Sequence, residues 1–192
     1  MPFKPVFEMA KMFFHNLAPQ SYQGDDTVCS FLIPLNELFE YYLFKLFDSW
    51  GEGTVASYQN AHNFAQGYDN DFRVKIRPDI ILSKGKQPML IADAKYKNPK
   101  YQNGLYTNIN QADMYQVFAY AKTYGVKSVA LIYPQFENVA TPPMLVELGG
   151  TNDNVHLTVG CVDIKNADIR QSGIALKNML SSEVKMIGGI AL

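Results

Sequence analysis

Along residues 30–48, SFLIPLNELFEYYLFKLFD, apolar side chains recur at Leu35, Leu38, Phe39, Tyr42, Leu43 and Leu46. Steps of three and four repeat one face of a helix, and Pro34 suits its first turn, where a missing N–H costs nothing. Gly51 and Gly53 end it. Residues 54–62 read as a short strand. Along 72–82, FRVKIRPDIIL, the period becomes two: Phe72, Val74 and Ile76 face one way, Arg73, Lys75 and Arg77 the other. This predicts a half-buried strand. SKGKQ is a turn signal. Residues 89–97, MLIADAKYK, begin as a buried strand and turn charged at its end. The two strands predict an antiparallel hairpin.

The segment Asn98 to Asn110 is rich in Asn, Tyr and Gly and is expected to be a mobile loop. Residues 111–124, QADMYQVFAYAKTY, have a helical pattern closed by Gly125. Residues 127–133, KSVALIY, are an apolar strand ended by Pro134; residues 155–163 are another, and 168–181 a C-terminal helix. A helix between two strands implies a crossover and a mixed sheet. The expected class is α/β, a mixed β-sheet flanked by helices.

With 192 residues the chain can bury a core in one domain, with or without an appendage. A hydrophobic share of 47% excludes a disordered chain. No apolar run is long enough to span a bilayer. The first residues, MPFKPVFEMAKMFFHNLAP, lack the continuous apolar stretch and cleavage site of a secretion signal, so a cytoplasmic protein without membrane contact is expected. Cys29 and Cys161 make neither a disulfide framework nor a metal-binding spacing and are expected to be small buried apolar groups. His15, His62 and His156 are scattered and read as structural or surface residues. The formal charge of −1 does not advertise a nucleic-acid binder. Basic residues nevertheless gather in one stretch: Arg73, Lys75, Arg77, Lys84, Lys86, Lys95, Lys97 and Lys100, against Asp79 and Asp93.

Chemistry concentrates in that stretch. Asp93 and Lys95 are two apart on the second strand, so they share a face. A short turn brings Asp79 across from Asp93. Neighbouring carboxylates repel, and a hard divalent cation relieves the repulsion. Mg²⁺, or Mn²⁺ in its place, keeps waters and binds phosphate oxygens; a coordinated water loses its proton more readily. Lys95 would orient that water, help deprotonate it, or stabilise charge on the reacting phosphate. The carbonyl of Ala94 is a further candidate ligand. A bare Asp-x-Lys is most often a surface ion pair. Here Asp93 follows Met89-Leu90-Ile91-Ala92, where a buried strand should continue, and a buried carboxylate needs a partner or a metal. Pro78 breaks the strand where a site would be built.

The pattern Pro78-Asp79 … Asp93-Ala94-Lys95 resembles that of PD-(D/E)xK nucleases. Leu38-Phe39-Glu40, Lys95-Tyr96-Lys97 and the run from Asp113 to Ala121 extend the match. Together they resemble the nuclease region of McrC, the endonuclease subunit of McrBC modification-dependent restriction systems, over roughly residues 30 to 135. The element from Gln116 to Tyr120 is also similar to one in RecB-type nucleases. The resemblance implies a restriction-endonuclease-like fold, with residues 1–29 as an extension or remnant of a preceding region and 30–192 as the nuclease domain. It implies Asp79 and Asp93 as metal ligands, Lys95 as the catalytic lysine and Glu40 as an additional acid, with Glu37 a rival one turn earlier. Gln116 and Tyr120 would support the site or contact DNA, and Lys97 and Arg77 are expected to bind substrate with them. An iron–sulfur relative needs four cysteines, and this chain has two.

The expected function is an Mg²⁺-dependent DNA endonuclease subunit of a modification-dependent restriction system. Its partners would be DNA, an McrB-like GTPase and, for double-strand cleavage, a second copy. Two readings compete: a catalytically silent binding or assembly module of the same fold, and a RecB-like repair nuclease. Tyr96, Tyr101 and Tyr106, near Lys97 and Lys100, would either stack on bases or sit in a polar loop.

Overall fold

The computed structural model describes residues 34–51, 53–66, 68, 72–136, 141–150 and 154–186, side chains 182–186 excepted. Internal contacts divide the chain into Met1–Ile33 and Pro34–Leu192, and the second unit is described below. Cys29, His15 and the expected N-terminal extension lie outside the described residues.

The second unit opens with helix α1, Leu35–Asp48, with Pro34 as its N-cap. Strands β1, Thr54–Tyr58; β2, His62–Gln66; β3, Arg73–Ile76; β4, Ile80–Lys84; and β5, Gln87–Ala94, follow. A small hairpin, β6 (Tyr101–Gln102) and β7 (Leu105–Tyr106), leads into helix α2, Gln111–Tyr124. Strand β8, Ser128–Gln135, edge strand β9, Met144–Leu148, strand β10, Val155–Asp163, and helix α3, Ile169–Met186, complete it. Six strands form one mixed sheet in the order β1-β4-β5-β8-β10-β9. Strand β5 runs antiparallel to β4 and parallel to β8, with α2 as the crossover between them. This is the mixed sheet flanked by helices that the sequence implied, and its arrangement is restriction-endonuclease-like.

The core lies on both faces of that sheet, because the buried middle of each central strand is an unbroken apolar run: Ile80 to Leu82, Leu90 to Ala92 and Val129 to Tyr133. Phe39, Leu43, Leu46 and Phe47 of α1 and Leu176 and Leu180 of α3 pack on Ile80, Leu82, Leu90 and Ala92. Val117, Tyr120 and Ala121 of α2 pack on Ile81, Ile91, Val129 and Leu131 of the opposite face. Each fully buried aliphatic side chain contributes about 1.5–3 kcal/mol. Helix α2 starts at Asn110, whose side chain accepts the Ala112 N–H at 2.9 Å. It stops at Gly125, whose φ of 67° closes it in the left-handed conformation.

Several expectations need correction. Residues 72–82 form two strands in different sheets, with Arg77-Pro78-Asp79 as the break. Pro78 has no N–H for a ladder and restricts the residue before it. Asp79 therefore precedes β4 instead of lying within a continuous strand. Phe72, expected on the inner face, is exposed. Leu35 and Leu38 are exposed too, and Phe47 takes a place on the buried stripe of α1. The segment 98–110 carries a hairpin that buries Tyr106 at 6% exposure, so it is not a featureless loop. Pro134 lies inside β8 and does not end it, since its ring nitrogen faces β5 while β8 pairs with β10 through Gln135. Strands β2 and β9 had no periodic signal and were not anticipated.

Candidate functional site

The C-terminal end of β5 is where the sheet stops being a ladder. The register Ile80↔Ala92 places residue 78 opposite Ala94, and a proline cannot donate to the Ala94 carbonyl. The carboxylate of Asp79 instead accepts the Ala94 N–H at 2.8 Å. On the other flank Lys95 N–H donates to the Ile132 carbonyl at 2.9 Å. The next rung would need an N–H from residue 134, which is also proline. The Lys95 carbonyl accepts from Lys97 N–H at 2.7 Å, turning the chain out of the sheet.

Strand parity then sets the chemistry. Ile91 packs against α2, so Asp93 and Lys95 face α2 as well. Asp93 is 2% exposed, and its Oδ2 lies 2.6 Å from Lys95 Nζ. Lys95 Nζ is also 3.4 Å from Asp113 Oδ1 and donates to Gln116 Oε1 at 2.9 Å. Gln116 passes its amide N–H to the Tyr120 hydroxyl at 2.7 Å, which donates to the Arg77 carbonyl at 3.4 Å. A single polar chain thus runs from the strand lysine across one face of α2 to the break before β4.

The electrostatics are those of a crowded acid pocket. Burial, then the charge of Asp93, raises Asp79 to about 7, and Glu40 adds to the effect. Burial also raises Asp93, against the opposing pull of Lys95. Burial alone would lower Lys95, yet the charges of Asp93 and Asp113 outweigh it and raise its pKa, so the amine is held as a cation. Tyr120 is pushed up to about 12 by burial and by Asp93.

The expected residues distribute as follows. Asp79, Asp93 and Lys95 come together, with Gln116 and Tyr120 in contact with the lysine or its chain. Glu40 is on α1, its charge felt by both aspartates, and its Oε2 accepts from Gln59 Nε2 at 2.8 Å. Glu37 is exposed at the start of the same helix. Lys97 ion-pairs with Asp113 at 3.1 Å and is otherwise open to solvent. The Arg77 side chain is exposed; only its carbonyl enters the chain of contacts. Of the tyrosines, Tyr106 is buried against Tyr101, and Tyr96 is half-buried between Phe39 and Phe136. Packing holds these rings in place, which leaves little of them for stacking on bases. His62 stacks on Tyr124 and half-buried His156 lies in β10. Cys161 is half-buried in β10, beside the Tyr106 hydroxyl.

Sequence reasoning gave Asp113 and Gln59 no role. Asp113 shares a helix face with Gln116 and Tyr120, and that spacing was a usable signal. Nothing in the sequence singles out Gln59.

Among the described residues no group of three or more His, Cys, Asp or Glu is arranged to hold a metal. A borderline metal such as zinc asks for such a set, whereas Mg²⁺ needs only one or two carboxylates and retains its waters. Asp79, Asp93 and the Ala94 carbonyl, which Pro78 leaves without a ladder donor, could serve as a donor set of the second kind. Among the described residues no helix is long and apolar enough to cross a membrane. No curated protein matches the chain. Residues 1–134 match the model of a protein family described as McrBC 5-methylcytosine restriction system component. The match spans Asp79, Asp93, Lys95, Asp113, Gln116 and Tyr120, and the chain belongs to the family of McrBC 5-methylcytosine restriction system components.

Proposed function

We propose that this restriction-system component is its DNA endonuclease subunit, an McrC-like PD-(D/E)xK nuclease that hydrolyses phosphodiester bonds with Mg²⁺. The observation that carries the reading is the pair Asp79 and Asp93. Burial raises the proton affinity of both carboxylates, the charge of Asp93 raises Asp79 further, and one lysine amine lies 2.6 Å from Asp93. Folding does not gain from such a pair by itself; burying like charges costs stability unless a ligand compensates. Strained electrostatics in an open strand end favour a binding or catalytic role.

The residues divide the work. Asp79, Asp93 and the Ala94 carbonyl would hold the cation, with Glu40 adding negative charge from α1. When bound, the cation would supply Lewis acidity, making a water a better nucleophile and neutralising phosphate charge. Lys95, kept protonated by its acids, is suited to orienting the attacking water and stabilising the negative charge that develops on the phosphate. Its charge state speaks against a role as the proton acceptor. Gln116 and Tyr120 fix the lysine from α2, while Lys97 and the Arg77 side chain, both exposed, would meet the DNA backbone. An McrB-like GTPase would recruit the subunit to modified DNA, and a second copy would supply the other strand's site.

Calorimetry with Mn²⁺ on wild type and Asp93→Ala, beside a plasmid-nicking assay, tests this. Binding and nicking by wild type, both lost in Asp93→Ala, support the nuclease. A wild type that binds no metal overturns it in favour of a scaffold of the same fold.

A further inference from the structure

Gln59 follows the last residue of β1 and has a φ of +51°. Gln is not a residue that enters the left-handed region without cost; the conformation is about 1–2 kcal/mol unfavourable for most L-residues. Such a residue persists where its surroundings hold it, and such positions gather at functional sites. What holds Gln59 here is a pair of contacts to two different elements. Its main-chain N–H donates to the Asp79 carbonyl at 2.9 Å. Its side-chain Nε2 donates to Glu40 Oε2 at 2.8 Å. The register Tyr58↔Ile80 explains the first contact, since one more step brings residue 59 to residue 79. The left-handed turn accompanies the second, in which the side chain meets α1.

We infer that Gln59 is a positioning residue that fixes the Glu40 carboxylate relative to Asp79 and so helps set the affinity of the acid cluster for a divalent cation. The inference rests on the metal-site reading given above. The geometry gives three reasons. Glu40 is carried by a helix and Asp79 by a strand break, and Gln59 touches both. A neutral amide donor steadies a carboxylate without cancelling its charge, whereas a lysine or arginine there would compete with the cation. Among the described residues only one of the two Glu40 oxygens is engaged, and the other remains for a cation or for a coordinated water.

The experiment separates positioning from mere folding, because glycine relieves the backbone cost while deleting the amide. Gln59→Gly is expected to melt at or above the wild-type temperature, yet bind Mn²⁺ about tenfold more weakly, the scale on which supporting contacts act. Gln59→Ala is expected to show the same binding loss with a lower melting temperature. In a Glu40→Ala background, Gln59→Gly is expected to change Mn²⁺ affinity no further, since the two act as one unit. If Gln59→Gly binds Mn²⁺ like wild type while Asp93→Ala does not bind, Gln59 is a turn residue and only this inference falls. Additive losses in the double variant overturn it too. A wild type that fails to bind Mn²⁺ overturns the metal site and the inference with it.

Discussion

The Asp79 carboxylate accepts the main-chain N–H of Ala94 at 2.8 Å. A side chain thereby takes the part that a strand carbonyl plays elsewhere in the ladder, and a proposed ligand is fastened to the backbone of its neighbour's strand. Among the described residues one oxygen holds this hydrogen bond, and the other is left for the proposed cation.

Asp79→Asn and Asp79→Ala should therefore part company. The Asn oxygen can still accept from Ala94, and the repulsion from Asp93 disappears, so the melting temperature is expected to hold or rise. Asp79→Ala strands the N–H, at a cost of about 1–3 kcal/mol. Both should lose Mn²⁺ binding and nicking. Thermal melting with calorimetry checks this; equal melting temperatures for the two variants would remove the structural half of the argument.

Lys95 is the cation nearest to a carboxylate that is 2% exposed. Lys95→Met leaves that charge buried and unpaired, with an expected loss of about 3 kcal/mol at pH 8. The loss should shrink at pH 5, because burial raises the Asp93 pKa and a lower pH favours its neutral form. Lys95→Arg should keep most of the stability and still lower nicking by about 10²-fold, since the reaction needs the point charge in place. Denaturant titration at the two pH values measures the first effect, and a loss independent of pH would count against the pairing.

Among the described residues Asp113 touches Lys95 and Lys97 and neither expected ligand, though its charge also raises Asp93. Asp113→Asn should leave Mn²⁺ affinity within about twofold of wild type while lowering the nicking rate about tenfold, because it loosens the lysine and not the acids. Both limbs of the pH–rate profile should move down, as Asp93 and Lys95 each lose an anion that raises their pKa. Equal losses of binding and rate would assign Asp113 to the metal instead.

Asp79 is raised from 3.8 to about 7. Across that window the folded chain holds more protons than the unfolded one, so this group's contribution to stability falls as pH rises toward 7 and stays low above it. Asp93 is raised as well and acts in the same direction. A divalent cation binds the ionised pair and offsets the loss. Mn²⁺ at a hundred times its Kd stabilises by about 2.7 kcal/mol where binding is strong. The melting temperature is therefore expected to rise by several degrees with Mn²⁺ at pH 8 and by much less at pH 6. An equal rise at both values would show that the cation does not depend on these acids.

Legibility followed burial and periodicity. Strands β5, β8 and β10 and helix α2 could be read from the sequence because each has a continuous apolar run or a capped helical pattern. Asp93 and Lys95 were conspicuous because charge interrupts such a run. Strand β2 was not readable because His62, Asn63, Phe64 and Gln66 are all exposed, so no face imposes a period. The break at Pro78 was seen, but its consequence, that one apparent strand serves two sheets, depends on pairings distant in sequence. Gln59 was invisible because its role lies in a backbone angle and in contacts to residues 19 and 20 positions away.

The prolines at 78 and 134 bear on how a ligand reaches the acids. Each faces the end of β5 with a ring nitrogen that carries no hydrogen, so neither neighbouring strand can zip onward past Ala94 and Lys95. The ladder beside the acids is ended by covalent structure. A ligand approaching the acids would have no β-ladder rungs to break past Ala94 and Lys95. The same vacancy is a hazard during synthesis, since an unfinished strand end invites a foreign strand; the tight turn from Lys95 to Lys97 leads the chain away before one can add.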